Sequence, residues 1–215
     1  MKKLVLLILT LALITILIIL ASSPAIKETS VENVIKNPLK YTGTRVKLLG
    51  TVLFSYPPYL IVEDEGTVTF VENVNYSLER GDRVEIIGEV VVVNISDRML
   101  DRWVRAHSLK LLQKSYPITK PSKVEAGEIN ESYLGKMLRI ENLTLVKVEG
   151  YNTPDGLFYV LRFSELWVPA YARGSEIPHL KFLVGTRYTI EGFLTYIVVA
   201  KGLMFRITNI TYSGI

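Results

Sequence analysis

Gly81-Asp82-Arg83-Val84-Glu85-Ile86-Ile87-Gly88-Glu89-Val90 and Gly185-Thr186-Arg187-Tyr188-Thr189-Ile190-Glu191-Gly192-Phe193-Leu194 share one pattern. In each, Gly-x-Arg opens a run in which every second residue is apolar, and a second glycine interrupts the apolar row. A matching pair lies upstream, Tyr41-x-Gly43-x-x-Val46-x-Leu48 and Tyr133-x-Gly135-x-x-Leu138-x-Ile140. The order and the internal spacing of the motifs are kept. The offset grows from 92 residues at the first motif to 104 at the second, so the second copy carries an insertion. A period this long excludes a solenoid and fits a duplicated small domain.

Each run reads as a strand. Period-two alternation places Val84, Ile86, Gly88, Val90 and Val92 on one face, and Gly88 marks a bend. Gly50 does the same in Thr44 to Phe54. Tyr59 to Val62 and Thr67 to Val71 are shorter strands around the polar turn Glu63-Asp64-Glu65-Gly66. Trp103 to Leu112 is the fifth strand. Ahead of them, Ser30 is a helix N-cap, Val31, Val34, Ile35 and Leu39 keep helical spacing, and Pro38 and Gly43 close the segment. Ile129, Tyr133 and Leu134 take the same part in the second copy. That copy departs at the turn: Leu157 to Phe163 runs through Ser164-Glu165 into Leu166 to Tyr171, and Gly174 to Leu183 is extra.

Five strands with bends in the first and fourth resemble the OB-fold, a small Greek-key barrel. The residues that carry the resemblance are Asn37-Pro38-x-x-Tyr41-x-Gly43-x-x-Val46, the turn at Glu63–Gly66, and Gly81-Asp82-Arg83-Val84-x-Ile86-x-Gly88. The resemblance implies an all-β chain of two tandem five-stranded Greek-key OB-like barrels, each with a short helical lead-in. The expected divisions are an anchor or signal over 1–25, barrels over 26–113 and 123–215, and a stiff linker over 114–122 holding Pro117 and Pro121. OB-folds serve single-stranded nucleic acids, oligosaccharides and proteins alike, so fold alone does not name a ligand.

Leu4 to Ala21 is an apolar run broken only by Thr10 and Thr15, long enough for a transmembrane helix. Lys2 and Lys3 before it argue for a cytoplasmic N-terminus, with the barrels outside the cell membrane. The competing reading is a signal peptide cut after Ala25. Five of nine asparagines stand in N-x-S/T sequons, Asn75, Asn94, Asn130, Asn142 and Asn209, which suits a glycoprotein as well as turns and strand ends. The chain has no cysteine, which excludes disulfides and thiolate chemistry. Net charge is +4, but residues 27–114 carry twelve basic and twelve acidic side chains and residues 115–215 eleven and nine. That balance lacks the strong basic excess of a dedicated nucleic-acid protein.

No catalytic motif is present, so a non-enzymatic role is expected, with no cofactor. His107 and His179 have unlike contexts and no zinc-ligand spacing. Exported barrels with one anchor also resemble haem chaperones, but neither histidine stands in the C-terminal motif those use. The Glu63–Glu65 acids read as a solvated turn before a cation site. One constellation is suggestive. If Leu166, Val168 and Ala170 point inward, Trp167 and Tyr171 face outward, Arg173 continues their row, and Arg162 lies on the next strand. Rings and arginines so arranged would stack bases. The same aromatics would equally pack beneath Gly174–Leu183 or against the first copy. Thr67 and Thr69 are the first copy's counterparts, a poor platform. Arg98, Arg102 and Arg105 stand among Asp97 and Asp101 and are self-compensated. Two functions follow: a module binding single-stranded nucleic acid, or a structural or protein-interaction component of an envelope complex.

Overall fold

The computed structural model describes residues 25–96, 99–153, 156–177, 182–197 and 202–214. The Leu4–Ala21 run, Asp97, Arg98 and His179 lie outside them. Among the described residues no helix is long and apolar enough to cross a membrane.

The protein is all-β, built as two six-stranded sheets. In the first, β1 (Lys27–Glu28) precedes helices α1 (Val31–Lys36) and α2 (Pro38–Tyr41), then β2 (Arg45–Tyr56), β3 (Tyr59–Asp64), β4 (Thr67–Glu72), β5 (Arg83–Ser96) and β6 (Met99–Gln113). Ser30 caps α1 by accepting from the Asn33 amide at 3.2 Å, and Val31, Val34 and Tyr41 seat the helices on the barrel. The sheet order is β1-β2-β3-β4-β6-β5, and a β2–β5 pairing closes it. β4 and β6 run parallel, every other pairing among β2–β6 antiparallel. That is the Greek-key connectivity the OB resemblance implies.

The second sheet repeats it. β7 (Ser122–Lys123), β8 (Met137–Thr153), β9 (Gly156–Phe163), β10 (Ala170–Arg173), β11 (Arg187–Ile197) and β12 (Gly202–Gly214) follow in chain order. They lie in the order β11-β12-β10-β9-β8-β7, closed by β11–β8, with β10 parallel to β12. The lead-in here is two single-turn 3-10 helices, Ala126–Glu128 and Glu131–Tyr133, rather than α-helix. The repeated glycines have a steric cause. A Cβ on Gly88 would fall on the Arg105 carbonyl oxygen, and one on Gly192 on that of Arg206. Both sit at register shifts where the long strands coil over their neighbours.

Each barrel has its own core, one around Val46, Leu48, Val62, Val84 and Ile86, the other around Ile140, Leu143, Leu161, Ile190 and Phe205. A third apolar cluster joins the copies: Leu53, Phe54, Ile61 and Val68 of the first with Met137 and Phe193 of the second. Backbone bonds cross the same seam, Val68 N to Gly135 O at 2.7 Å and Met137 N to Gly66 O at 2.8 Å. Glu63, 1% exposed, accepts from the Thr119 amide at 2.9 Å and the Gly66 amide at 3.1 Å, tying the linker to the β3–β4 turn. Asp64 pairs with Arg83 at 2.8 Å. Two of the three acids expected in a solvated turn are thus structural.

Separate cores generate a test. Residues 26–113 and 123–215 expressed apart should each give dispersed amide spectra. A half that stays unfolded while the whole chain folds would show that the seam, and not each barrel's core, sustains it.

Candidate functional site

The outer face of the second barrel is set by strand parity. On β9, Leu161 and Phe163 point into the core, so Phe158, Val160 and Arg162 point out. Register aligns Tyr151 with Phe158, Glu149 with Val160, and Lys147 with Arg162 across β8 and β9. On β10, Ala170 and Ala172 are fully buried; Tyr171 lies opposite Val160 and Arg173 opposite Phe158. β12 adds Arg206 beside Tyr171. Three rows result: Tyr151, Phe158 and Arg173; Glu149, Val160, Tyr171 and Arg206; Lys147 and Arg162. Glu149 pairs with Lys147 at 2.9 Å, and its carboxyl is held below the usual range by that hydrogen bond first, with Arg162 adding a smaller attraction.

The four residues singled out from sequence have different fates. Arg162 is exposed on the outer face. Trp167 is 59% exposed but lies in the loop before β10, because the regular strand begins only at Ala170. Leu166 and Val168 are nevertheless buried, as their alternation implies. The indole N–H of Trp167 donates to the Ile129 carbonyl at 2.7 Å. Tyr171 and Arg173 point outward into the seam. The Arg206 guanidinium stands 4.9 Å from the Tyr171 ring, and burial pushes the Tyr171 phenol up. Arg173 stacks on Tyr56 of the first barrel at 3.6 Å and lies 5.0 Å from the Phe158 ring.

Tyr56 and Arg206 were not legible as site residues. Tyr56 reads as loop. Arg206 carries a signal, a lone charge in the apolar run Leu203-Met204-Phe205-Arg206-Ile207, but period two alone does not say what covers its face. It is 2% exposed and donates from Nη2 to Glu176 Oε1 at 2.5 Å. Burial pushes the Glu176 carboxyl up against the opposing pull of Arg206.

On the first barrel the expected parity of β4 is reversed. Thr69 lies opposite Val62, a core residue, while Val68 and Phe70 face out into the seam. Both faces of β4 are covered, so apolar alternation could not tell the core side from the seam side. Arg105 pairs with Glu72 at 2.5 Å. Among the described residues no three His, Asp or Glu side chains gather to hold a metal ion.

No family model and no curated protein matches the sequence. Solved structures with some likeness include telomere capping protein Ten1 from Saccharomyces pombe, at 15% identity over 40% of this chain and 81% of that one, TM-score 0.32. The single-stranded DNA binding protein from Thermus aquaticus gives 15% over 79% and 92%, TM-score 0.28. A replication protein A heterotrimer bound to ssDNA gives 9% over 75% and 49%, TM-score 0.34. Likeness this slight carries no argument about what the chain binds.

A second inter-copy tie is electrostatic. Lys136 donates to Glu32 Oε1 at 2.9 Å and Thr67 Oγ1 at 3.0 Å, and Lys36 bonds the same carboxylate at 2.8 Å. Hydrogen bonds from Lys36 and then Lys136 lower the Glu32 pKa from 4.5 to about 2. A depressed carboxyl stabilises the folded chain above its unfolded pKa and loses that contribution as pH falls through the folded one. The contact should therefore persist at pH 4.5 and fade toward pH 2. Carboxyl carbon shifts of Glu32 should titrate near the low value, and Lys136→Met should move the midpoint up.

Proposed function

We propose that the chain is a non-enzymatic binding module whose second barrel takes single-stranded nucleic acid across the outer face of β8, β9 and β10. The observation that supports this reading most is the pair of rows Tyr151–Phe158–Arg173 and Lys147–Arg162, aligned by register on one face. Aromatic rings beside cations offer stacking to bases and charge to phosphates without reading sequence. The few cations on this face, Lys147 being paired with Glu149, imply modest affinity with a salt slope of about 0.7 per phosphate contact. Binding of a fluorescently labelled oligothymidylate at low salt, followed by anisotropy of the label, tests it. Phe158→Ala should lose about 1–3 kcal/mol, the worth of a stacked base. Arg162→Ala should flatten the log–log salt slope by about 0.7, one phosphate contact on a single strand. A parent with no affinity at low salt sinks the reading.

The protein is further proposed to be exported and held at the cell membrane by Leu4–Ala21. The sequon residues Asn75, Asn130, Asn142 and Asn209 are exposed, which suits glycan acceptance. Membrane fractions should keep the full-length chain through a carbonate wash. Recovery of a soluble species beginning near Ile26 would assign a signal peptide.

A second reading is a protein-interaction component of an envelope complex, a role that the near-neutral charge of both copies suits. Salt separates the two readings, because an apolar interface does not weaken with ionic strength as phosphate binding does.

A further inference from the structure

Arg206 is a guanidinium with unmet demands. Its Nη2 serves Glu176 Oε1 and the Tyr56 hydroxyl, at 2.5 Å and 3.3 Å. Its Nε and Nη1 are buried without a hydrogen-bond acceptor. The Phe54 and Tyr171 rings stand 4.8 Å and 4.9 Å from its carbon. Ring contacts offset part of the charge, but unsatisfied buried donors cost free energy. Nε and Nη1 face different edges of the guanidinium, and a phosphate oxygen brought to Nη1 would meet one of the two with a charge-assisted bond.

Beside it, Arg173 holds the Tyr56 ring at 3.6 Å. The row Tyr151, Phe158, Arg173 therefore ends on a ring that belongs to the other barrel. Tyr56 closes β2 and is followed by the exposed Pro57-Pro58 turn. The hairpin tip is held by Val74 N donating to the Pro58 carbonyl at 3.0 Å and Leu78 N to Ser55 Oγ at 3.0 Å, so what can leave the site is the half-exposed Tyr56 side chain, not the tip.

We infer that Tyr56 occupies a base-stacking site of the second barrel, and that an incoming single strand displaces it, one base resting on Arg173 and its phosphodiester accepting from Nη1 of Arg206. This rests on the nucleic-acid reading above. Tyr56 and the ligand exclude each other, so apparent affinity is reduced by the fraction of molecules in which the Tyr56 ring fills the site. The first barrel thereby sets the affinity of the second.

The test uses the full chain and a fluorescently labelled oligothymidylate at low salt. Tyr56→Ala should bind roughly tenfold tighter than the parent, the gain from removing about one competing stacked ring. Tyr56→Leu, which keeps apolar volume in the seam, should show the same gain if the alanine variant folds poorly. Arg173→Met placed on either variant should erase the gain. A parent that binds, with both Tyr56 variants binding equally or more weakly, overturns the inference and leaves the nucleic-acid reading standing. Absence of binding by parent and variants alike overturns both.

Discussion

The packing of Phe193 against the outer face of β3 and β4 is the contact on which the rest of the molecule depends. A closed five-stranded barrel needs one apolar face per strand. β4 has an inward row, Thr69 and Val71, and an outward apolar row, Val68 and Phe70. Left uncovered, that outer row together with Leu53, Phe54 and Ile61 would form a contiguous apolar patch of the kind that drives association. The second barrel covers it with Met137 and Phe193, both nearly inaccessible to solvent. Fully burying a phenylalanine stabilises by about 1.5–3 kcal/mol. The backbone pairing of Gly66 and Val68 with residues 135 and 137 then fixes the register of one copy on the other. Glu63 holds the linker where that register requires it.

Duplication gave both copies the same connectivity, and the seam made them unlike. One surface cannot serve two contacts. The first barrel's outer face is occupied by protein. The second barrel's face is divided: Tyr171, Arg173 and Arg206 lie under the β2–β3 tip, while Tyr151 and Arg162 remain exposed. The available cations are also tempered by Glu149. Such a surface favours exchange over tight capture, and it explains why whole-chain charge is a poor guide to this face.

The barrel topology was legible because its punctuation is steric. Gly88 and Gly192 are required where one backbone crosses another, so the repeat shows in sequence however far the surfaces drift. Helix capping by Ser30 was legible for a similar reason, since a short polar side chain before a periodic apolar run has few other uses. The face assignment of β4 was not. Alternation along Thr67–Val71 reports that one row is more polar, but in a strand covered on both sides the polar row need not be the outer one. Trp167 is exposed as expected but stands off the regular strand. Leu166, Val168 and Ala170 do bury, yet Pro169 and the loop geometry keep the first two out of the strand. Parity survives there without the flat platform it would imply in a regular sheet. Tyr56 was invisible because its significance is a contact 117 residues away, with Arg173.

Arg206 is informative because it is dispensable for packing. A buried ion pair is often no more stable than apolar side chains of similar volume. The neighbours of Arg206 are Glu176, Tyr56, Phe54 and Tyr171, and apolar side chains in place of both Arg206 and Glu176 would leave no buried donor or acceptor of the pair unmet. Stability alone therefore does not select arginine here. The β10 turn supplies Glu176 as a partner, and that carboxyl is itself displaced from its ordinary titration by burial, so two costs are carried for one contact. A charge kept at such cost inside an apolar seam argues for a state of the molecule in which the guanidinium meets more than Glu176 and Tyr56. The proposed displacement of the Tyr56 ring would supply such a state.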